Sequence, residues 1–119
     1  MAEPKPQMQA VLETIWKKNL AQTRERMAVL THAVETAQGA DGLSPELREE
    51  AFSLAHKLAG SLGMFGHSAA TEHARRIEME LQPGGPADPA RLRAELAAMR
   101  ESLRSALGEE TPAGPLAAE

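Results

Sequence analysis

The chain has 119 residues, an apolar fraction of 42% and a formal net charge of −4, which suits a single small domain with its own core. The absence of cysteine removes disulfide frameworks, thiol catalysis and cysteine-based zinc sites. An acidic balance leaves no electrostatic footprint for nucleic acid, and no apolar run nears the ~20 residues of a membrane span. With no basic and apolar secretory signal at the N-terminus, a cytoplasmic location is expected.

Every long segment reads as helix. Residues 1–6 are expected to be disordered. From Gln7 to about Gln38 the apolar residues Met8, Leu12, Ile15, Trp16, Met27, Leu30 and Val34 recur near helical spacing with no internal Gly or Pro. This is one long helix, or a short capping helix followed by a longer one near Asn19. Gly39-Ala40-Asp41-Gly42 ends it, and Ser44-Pro45-Glu46 then starts the next helix, with Ser44 as N-cap and Pro45 at the first helical position. Gly63-Met64-Phe65-Gly66 permits a sharp reversal, with Phe65 plugging the bundle end. A third helix runs from about Ser68 to Gln82, with Ala70, Ala74, Ile77 and Leu81 inward. After the loop Pro83 to Asp88, a last helix capped by Asp88 carries Leu92, Leu96, Met99, Leu103 and Leu107 on one face. Short loops imply antiparallel neighbours. The expected fold is all-α: an up-down antiparallel four-helix bundle over residues 7–108 with an N-terminal helical extension, followed by a flexible tail or interdomain linker over residues 109–119. Trp16 is expected to pack at a bundle end, and the methionines to fill the core or its boundary.

One histidine stands out on the second helix. At ~100° per residue, Leu47, Ala51, Leu54, Ala55, Leu58 and Leu62 form an apolar stripe, and His56 lies about 150° from its centre, facing water. Gly60 and Gly63 follow on the same face. Each glycine inside a helix costs ~1 kcal/mol relative to alanine, so two beside an exposed imidazole suggest that a partner approaches it closely. Taken alone, an exposed helical histidine is ordinarily a solvated side chain. His32, His67 and His73 are the remaining histidines; the Glu-x-x-His pairs of di-iron bundles and the H-E-x-x-H motif are both missing, so no metal site is expected.

These residues resemble the histidine phosphotransfer, or HPt, domain of phosphorelay signalling systems, whose pattern is roughly A-H-x-L-K-G-(S/A)-x-x-x-(F/L)-G followed by a helix ending in a Leu/Ile-Glu pair. Ala55, His56, Leu58, Gly60, Ser61, Phe65 and Gly66 match, and Ile77-Glu78 stand where the closing pair belongs. The family's lysine three residues after the histidine is Ala59 here.

The resemblance implies that His56 accepts a phosphoryl group on Nε2 and relays it to or from receiver-domain aspartates, or takes it from a histidine kinase. It also implies that magnesium belongs to the partner receiver rather than to this chain. Lys57 can substitute for the missing lysine or be an ordinary solvated side chain. Glu78 can hold the Nδ1–H of His56, as a glutamate at the matching position does in the chemotaxis-kinase branch, or pair at the surface with Arg75 or Lys57. Gly60, Ser61, Gly63, Arg75 and Arg76 form the expected docking surface. No Walker or Rossmann glycine loop is present, so autonomous kinase activity is not expected. The expected partners are a response-regulator receiver and/or a histidine kinase, with no nucleic acid and no membrane, and the chain is read as monomeric or as one domain of a larger polypeptide. The alternatives are a non-catalytic helical adaptor that docks partners through the same face, and a homodimerising bundle fragment.

Overall fold

The computed structural model describes residues 6–108; the expectations for residues 1–5 and for the tail 109–119 lie outside the described residues. Four helices follow one another: α1 Pro6–Ala37, α2 Pro45–Met64, α3 Ser68–Leu81 and α4 Pro89–Leu103. Pro6, expected in a disordered N-terminus, is the first residue of α1. α2 packs on α1 and α3, and α4 packs on α3 and α1, so each helix touches its sequence neighbours and the ring closes between first and last. Gln38, just past the end of α1, donates from Nε2 to the Pro89 carbonyl at the start of α4 (2.9 Å), as antiparallel packing of the two requires. Among the described residues no helix is long and apolar enough to cross a membrane.

The start signals act as their chemistry dictates. Ser44 Oγ accepts from Leu47 N at 3.1 Å, and Asp88 Oδ1 accepts from Ala90 N at 3.0 Å, each with proline next in the chain. The caps fill donor positions that a helix cannot satisfy from within. The core follows the expected stripes: Met27, Leu30 and Val34 from α1, Ala51, Ala55, Leu58 and Leu62 from α2, Ala70, Ala74, Ile77 and Leu81 from α3, and Leu92, Leu96, Met99 and Leu103 from α4 are buried, with Leu107 just beyond. Arg24 on α1 donates from Nε to the Leu107 carbonyl at 3.2 Å and ties down the chain after α4.

α1 is one continuous helix of 32 residues against 20 in α2, so its N-terminal part outruns the bundle. Met8, Val11, Leu12 and Ile15 there are 40–55% exposed. Packing begins at Trp16, whose ring meets Phe65 edge-on (centroids 5.2 Å) and lies against His67 (4.8 Å). The methionines divide rather than fill the core together: among the described residues Met27 and Met99 are buried, whereas Met8, Met64 and Met79 are exposed, because none of the four helices covers the overhang, the end of α2 or the outer face of α3.

Two hinges fix the helices that matter for function. At the α2–α3 turn, His67 N bonds the Leu62 carbonyl (2.9 Å) and Gly66 N the Gly63 carbonyl (3.1 Å), with Gly66 at φ +82° where only glycine is unstrained. At the α3–α4 loop, Arg48 of α2 donates from Nε to the Leu81 carbonyl (3.1 Å) and from one terminal nitrogen to those of Gln82 and Gly85 (2.9 Å each). The guanidinium thereby satisfies carbonyls that the end of α3 leaves open. The buried Glu80 carboxylate receives the Asp88 N–H at 2.9 Å. A Cβ on Gly85 would fall 2.5 Å from the Met79 carbonyl oxygen, so the loop closes against the end of α3 only with glycine there.

His67 is half-buried under Trp16, and desolvation pushes its pKa below 6.5. The unfolded chain therefore takes up a proton that the folded ring resists, so stability from the neutral ring is complete above pH 6.5 and is lost as pH falls below it. Melting temperatures measured across this range should fall more steeply with acid for the wild type than for His67→Phe; parallel curves would remove His67 as a source of acid sensitivity.

Candidate functional site

The α2–α3 turn sets a register in which facing residues have numbers that add to a constant. His56 meets Glu78, and a Cβ on Gly63 would touch the Thr71 side chain at 3.6 Å. Both pairs sum to the same value, and on this register Ala59 lies level with Arg75. The reversal is thus centred at His67, two residues later than a turn centred on Phe65 would be. His56 accordingly faces Glu78.

His56 Nδ1 lies 2.8 Å from Glu78 Oε2, with the imidazole side chain 73% exposed and the glutamate 22%. A carboxylate only accepts, so Nδ1 carries the proton and, in the neutral ring, Nε2 carries the lone pair. No group among the described residues bonds that nitrogen. The arrangement is a solvent-facing lone pair on a ring whose tautomer is held from below. Glu78 makes this bond, not an ion pair with Arg75 or Lys57, because the register brings it under the imidazole, whereas Lys57 points about 100° round α2.

The remaining expected site residues divide by face. Gly60 is exposed and a Cβ there would meet nothing within 4 Å; Gly63 is exposed and borders Thr71. The surface beside His56 is therefore open towards the turn. Ser61 is half-buried and lies about 140° round the helix from His56, off that surface. Ala59 is 3% exposed and belongs to the core cluster. Arg75 and Arg76, adjacent in sequence, occupy different flanks of α3. Arg76 sits near Glu72 (3.9 Å) and Glu95 of α4 (3.8 Å), on the side away from α2.

A second histidine–carboxylate pair was not anticipated from the sequence. His73 Nδ1 lies 2.7 Å from Glu95 Oε1, linking α3 to α4 as His56–Glu78 links α2 to α3, with both side chains largely covered at 22% and 19% exposed. The signal available was the spacing: 22 residues separate the partners in each pair. Among the described residues no three His, Cys, Asp or Glu side chains converge in a way that could hold a metal ion.

The sequence model of the Hpt domain matches residues 15–106 of the chain. The chain belongs to the Hpt domain family. It is a histidine phosphotransfer module of phosphorelay signalling, a four-helix bundle with its resembling motif on α2 and α3. It is also similar to the protein RcaC of Microchaete diplosiphon, 31% identical over 109 residues, an alignment covering 92% of this chain and 16% of RcaC. The chain thus spans only a small part of that relative's length. No solved structure matches it. Hpt domains in general exchange phosphoryl groups with kinases and receivers, and for such an exchange the orientation of the accepting ring is decisive.

That orientation is testable without any partner. In Glu78→Gln the amide can present either its oxygen or its NH2 to Nδ1, so the neutral ring should lose its single preferred tautomer, visible in the 15N shifts of His56. A tautomer ratio unchanged from wild type would show that Glu78 does not set it.

Proposed function

We propose that His56 is the phosphoacceptor of this Hpt domain, with Glu78 fixing and stabilising the ring through the reaction. The observation that supports this reading is the 2.8 Å Nδ1–Glu78 bond beneath a ring that is 73% exposed. Nε2 attacks the phosphorus of a receiver's aspartyl phosphate; the Nε2–P bond forms, the acyl P–O bond breaks, and the aspartate leaves as a carboxylate. The ring, still protonated on Nδ1, becomes cationic, and the Glu78 carboxylate offsets that charge. Transfer onward is the reverse of these events on a second aspartate. When a histidine kinase is the donor, the bond broken is the terminal P–O bond of its nucleotide.

The chain's contribution is position, exposure and one carboxylate, since phosphoryl transfer depends mainly on alignment and charge neutralisation. Magnesium, in this reading, is held by the receiver's acidic pocket and not by this chain, and the module has no kinase activity of its own. It works in the cytoplasm, with a receiver or kinase docking over His56, Gly60 and Gly63. Gly60 and Gly63 leave a gap through which the partner's acidic pocket reaches Nε2.

Incubated with a phosphorylated receiver and magnesium, the protein should acquire an acid-labile, base-stable phosphoryl group, and His56→Gln should abolish it with circular dichroism unchanged. Retained labelling in that variant removes His56 from the reaction, and failure of the wild type across a broad panel of receivers and kinases would favour a non-catalytic adaptor.

The gap itself can be closed. Gly60→Leu should keep the fold, gaining up to ~1 kcal/mol from helix propensity, because a Cβ there meets nothing within 4 Å. Transfer from the receiver should fall at least tenfold as the side chain blocks approach. A stable variant that transfers at the wild-type rate would show that nothing docks over residue 60.

A further inference from the structure

We propose that Arg75, on α3, supplies the cation that neutralises the phosphoryl group on His56, rather than the neighbouring Lys57; this rests on the reading of His56 as phosphoacceptor. A phosphoryl group on Nε2 brings negative charge to a surface whose nearest bonded group, Glu78, is itself anionic. Ala59, which occupies the place of the lysine in the resembled pattern, is 3% exposed and has no charge to offer. The compensating charge must come from a side chain on the flank where the ring leans.

That flank is the α2–α3 groove, because Glu78 draws the imidazole towards α3. Lys57 lies about 100° round α2 from His56, on the side away from Glu78 and α3. Ala59, about 60° from His56 in the opposite sense, is the residue buried beneath α3. Arg75 is three residues before Glu78 and about 60° round α3 from it, about 40° from Thr71, the residue that faces Gly63. It therefore stands at the outer lip of the groove, level with Ala59 and about 4.5 Å along the axis from the His56–Glu78 pair. This is beside the open ground over Gly60 and Gly63.

The other charged groups of α3 are engaged elsewhere. Glu78 holds His56, His73 holds Glu95, Arg76 sits between Glu72 and Glu95, and Glu80 closes the α3–α4 loop. Arg75 is exposed and makes no ion pair or side-chain hydrogen bond among the described residues. Its guanidinium is uncommitted in the unphosphorylated protein. A planar fork of N–H donors matches phosphate oxygens in a way that a lysine ammonium does not.

The test uses a small donor, phosphoramidate, so that docking plays no part: Nε2 attacks phosphorus, the Nε2–P bond forms and the P–N bond breaks with ammonia leaving. Phosphorylation of Arg75→Ala should be slowed about tenfold, the scale of one hydrogen bond to a charged group. Arg75→Lys should recover part of the rate, and Lys57→Ala should stay within about twofold of wild type. In the wild-type protein, the Arg75 Nε–H resonance should shift on phosphorylation, a response that a purely structural role would not give. A loss confined to transfer from a receiver, with the phosphoramidate rate intact, would assign Arg75 to docking and overturn the proposal. So would slowing in Lys57→Ala with Arg75→Ala unaffected, or an Arg75 resonance that does not move. If His56→Gln is labelled by phosphoramidate as fast as wild type, the phosphoacceptor reading fails and this proposal with it; if labelling requires His56 and Arg75 is inert, only this proposal fails.

Discussion

The register between α2 and α3 is the constraint on which the site depends. It is set at the turn, where Gly66 takes a positive φ and the His67 N–H returns to the Leu62 carbonyl. A slip of one residue would rotate α3 by about 100° relative to the facing helix. Glu78 would leave the imidazole, Thr71 would leave Gly63, and Arg75 would move off the lip of the groove. Hydrophobic burial alone does not choose so finely, because Ala70, Ala74, Ile77 and Leu81 could present an apolar stripe at several heights. The turn, locked against Trp16 through Phe65 and His67, and Arg48, which ties the far end of α3 back to α2, hold the helix at one height from both ends.

The two histidine–glutamate pairs invite comparison, since only one of them holds the proposed phosphoacceptor. Their bonds are alike, 2.8 and 2.7 Å from Nδ1 to a carboxylate of the next helix. Their surroundings differ. His73 is 22% exposed and shares Glu95 with Arg76, so its bond ties α3 to α4 within a small polar cluster. His56 is 73% exposed, with glycines rather than long side chains following it along the helix. A hydrogen bond to a carboxylate is thus common to both rings; the cleared approach to the opposite nitrogen belongs to His56, the proposed phosphoacceptor, alone of the two.

The helices, their caps and the core stripes were legible because each rests on local chemistry. Ser44 and Asp88 cap from within one turn, and the 3.6-residue period of Leu92, Leu96, Met99 and Leu103 needs no distant partner to be read. His56 and the open glycines were legible for the same reason. What depended on alignment between helices was not. Whether Glu78 met His56 or a neighbouring cation turned on a two-residue difference in the centre of the reversal, and Arg48 looked like any charged residue in the first turns of a helix. The His73–Glu95 pair carried a spacing signal, but 22 residues acquire meaning only once the loop between α3 and α4 has a known length and height. The exposed Met8, Val11, Leu12 and Ile15 shared the helical period of a core, and periodicity cannot say whether a facing helix reaches that far.

The division of Arg75 from Arg76 carries the same point into chemistry. A run of two arginines reads as one basic patch, yet successive residues on a helix point about 100° apart. Here that angle sends one guanidinium to the carboxylates of Glu72 on α3 and Glu95 on α4 and leaves the other beside the groove that holds His56. A surface lysine or arginine held in an ion pair must give up that partner before it can meet a phosphate, which weakens its contribution; a cation with no partner has nothing to surrender. For the role proposed for Arg75, the commitments of Glu72, Glu78, Glu80 and Glu95 to other groups thus matter as much as the arginine itself, because they keep α3's carboxylates and those facing it from neutralising its charge.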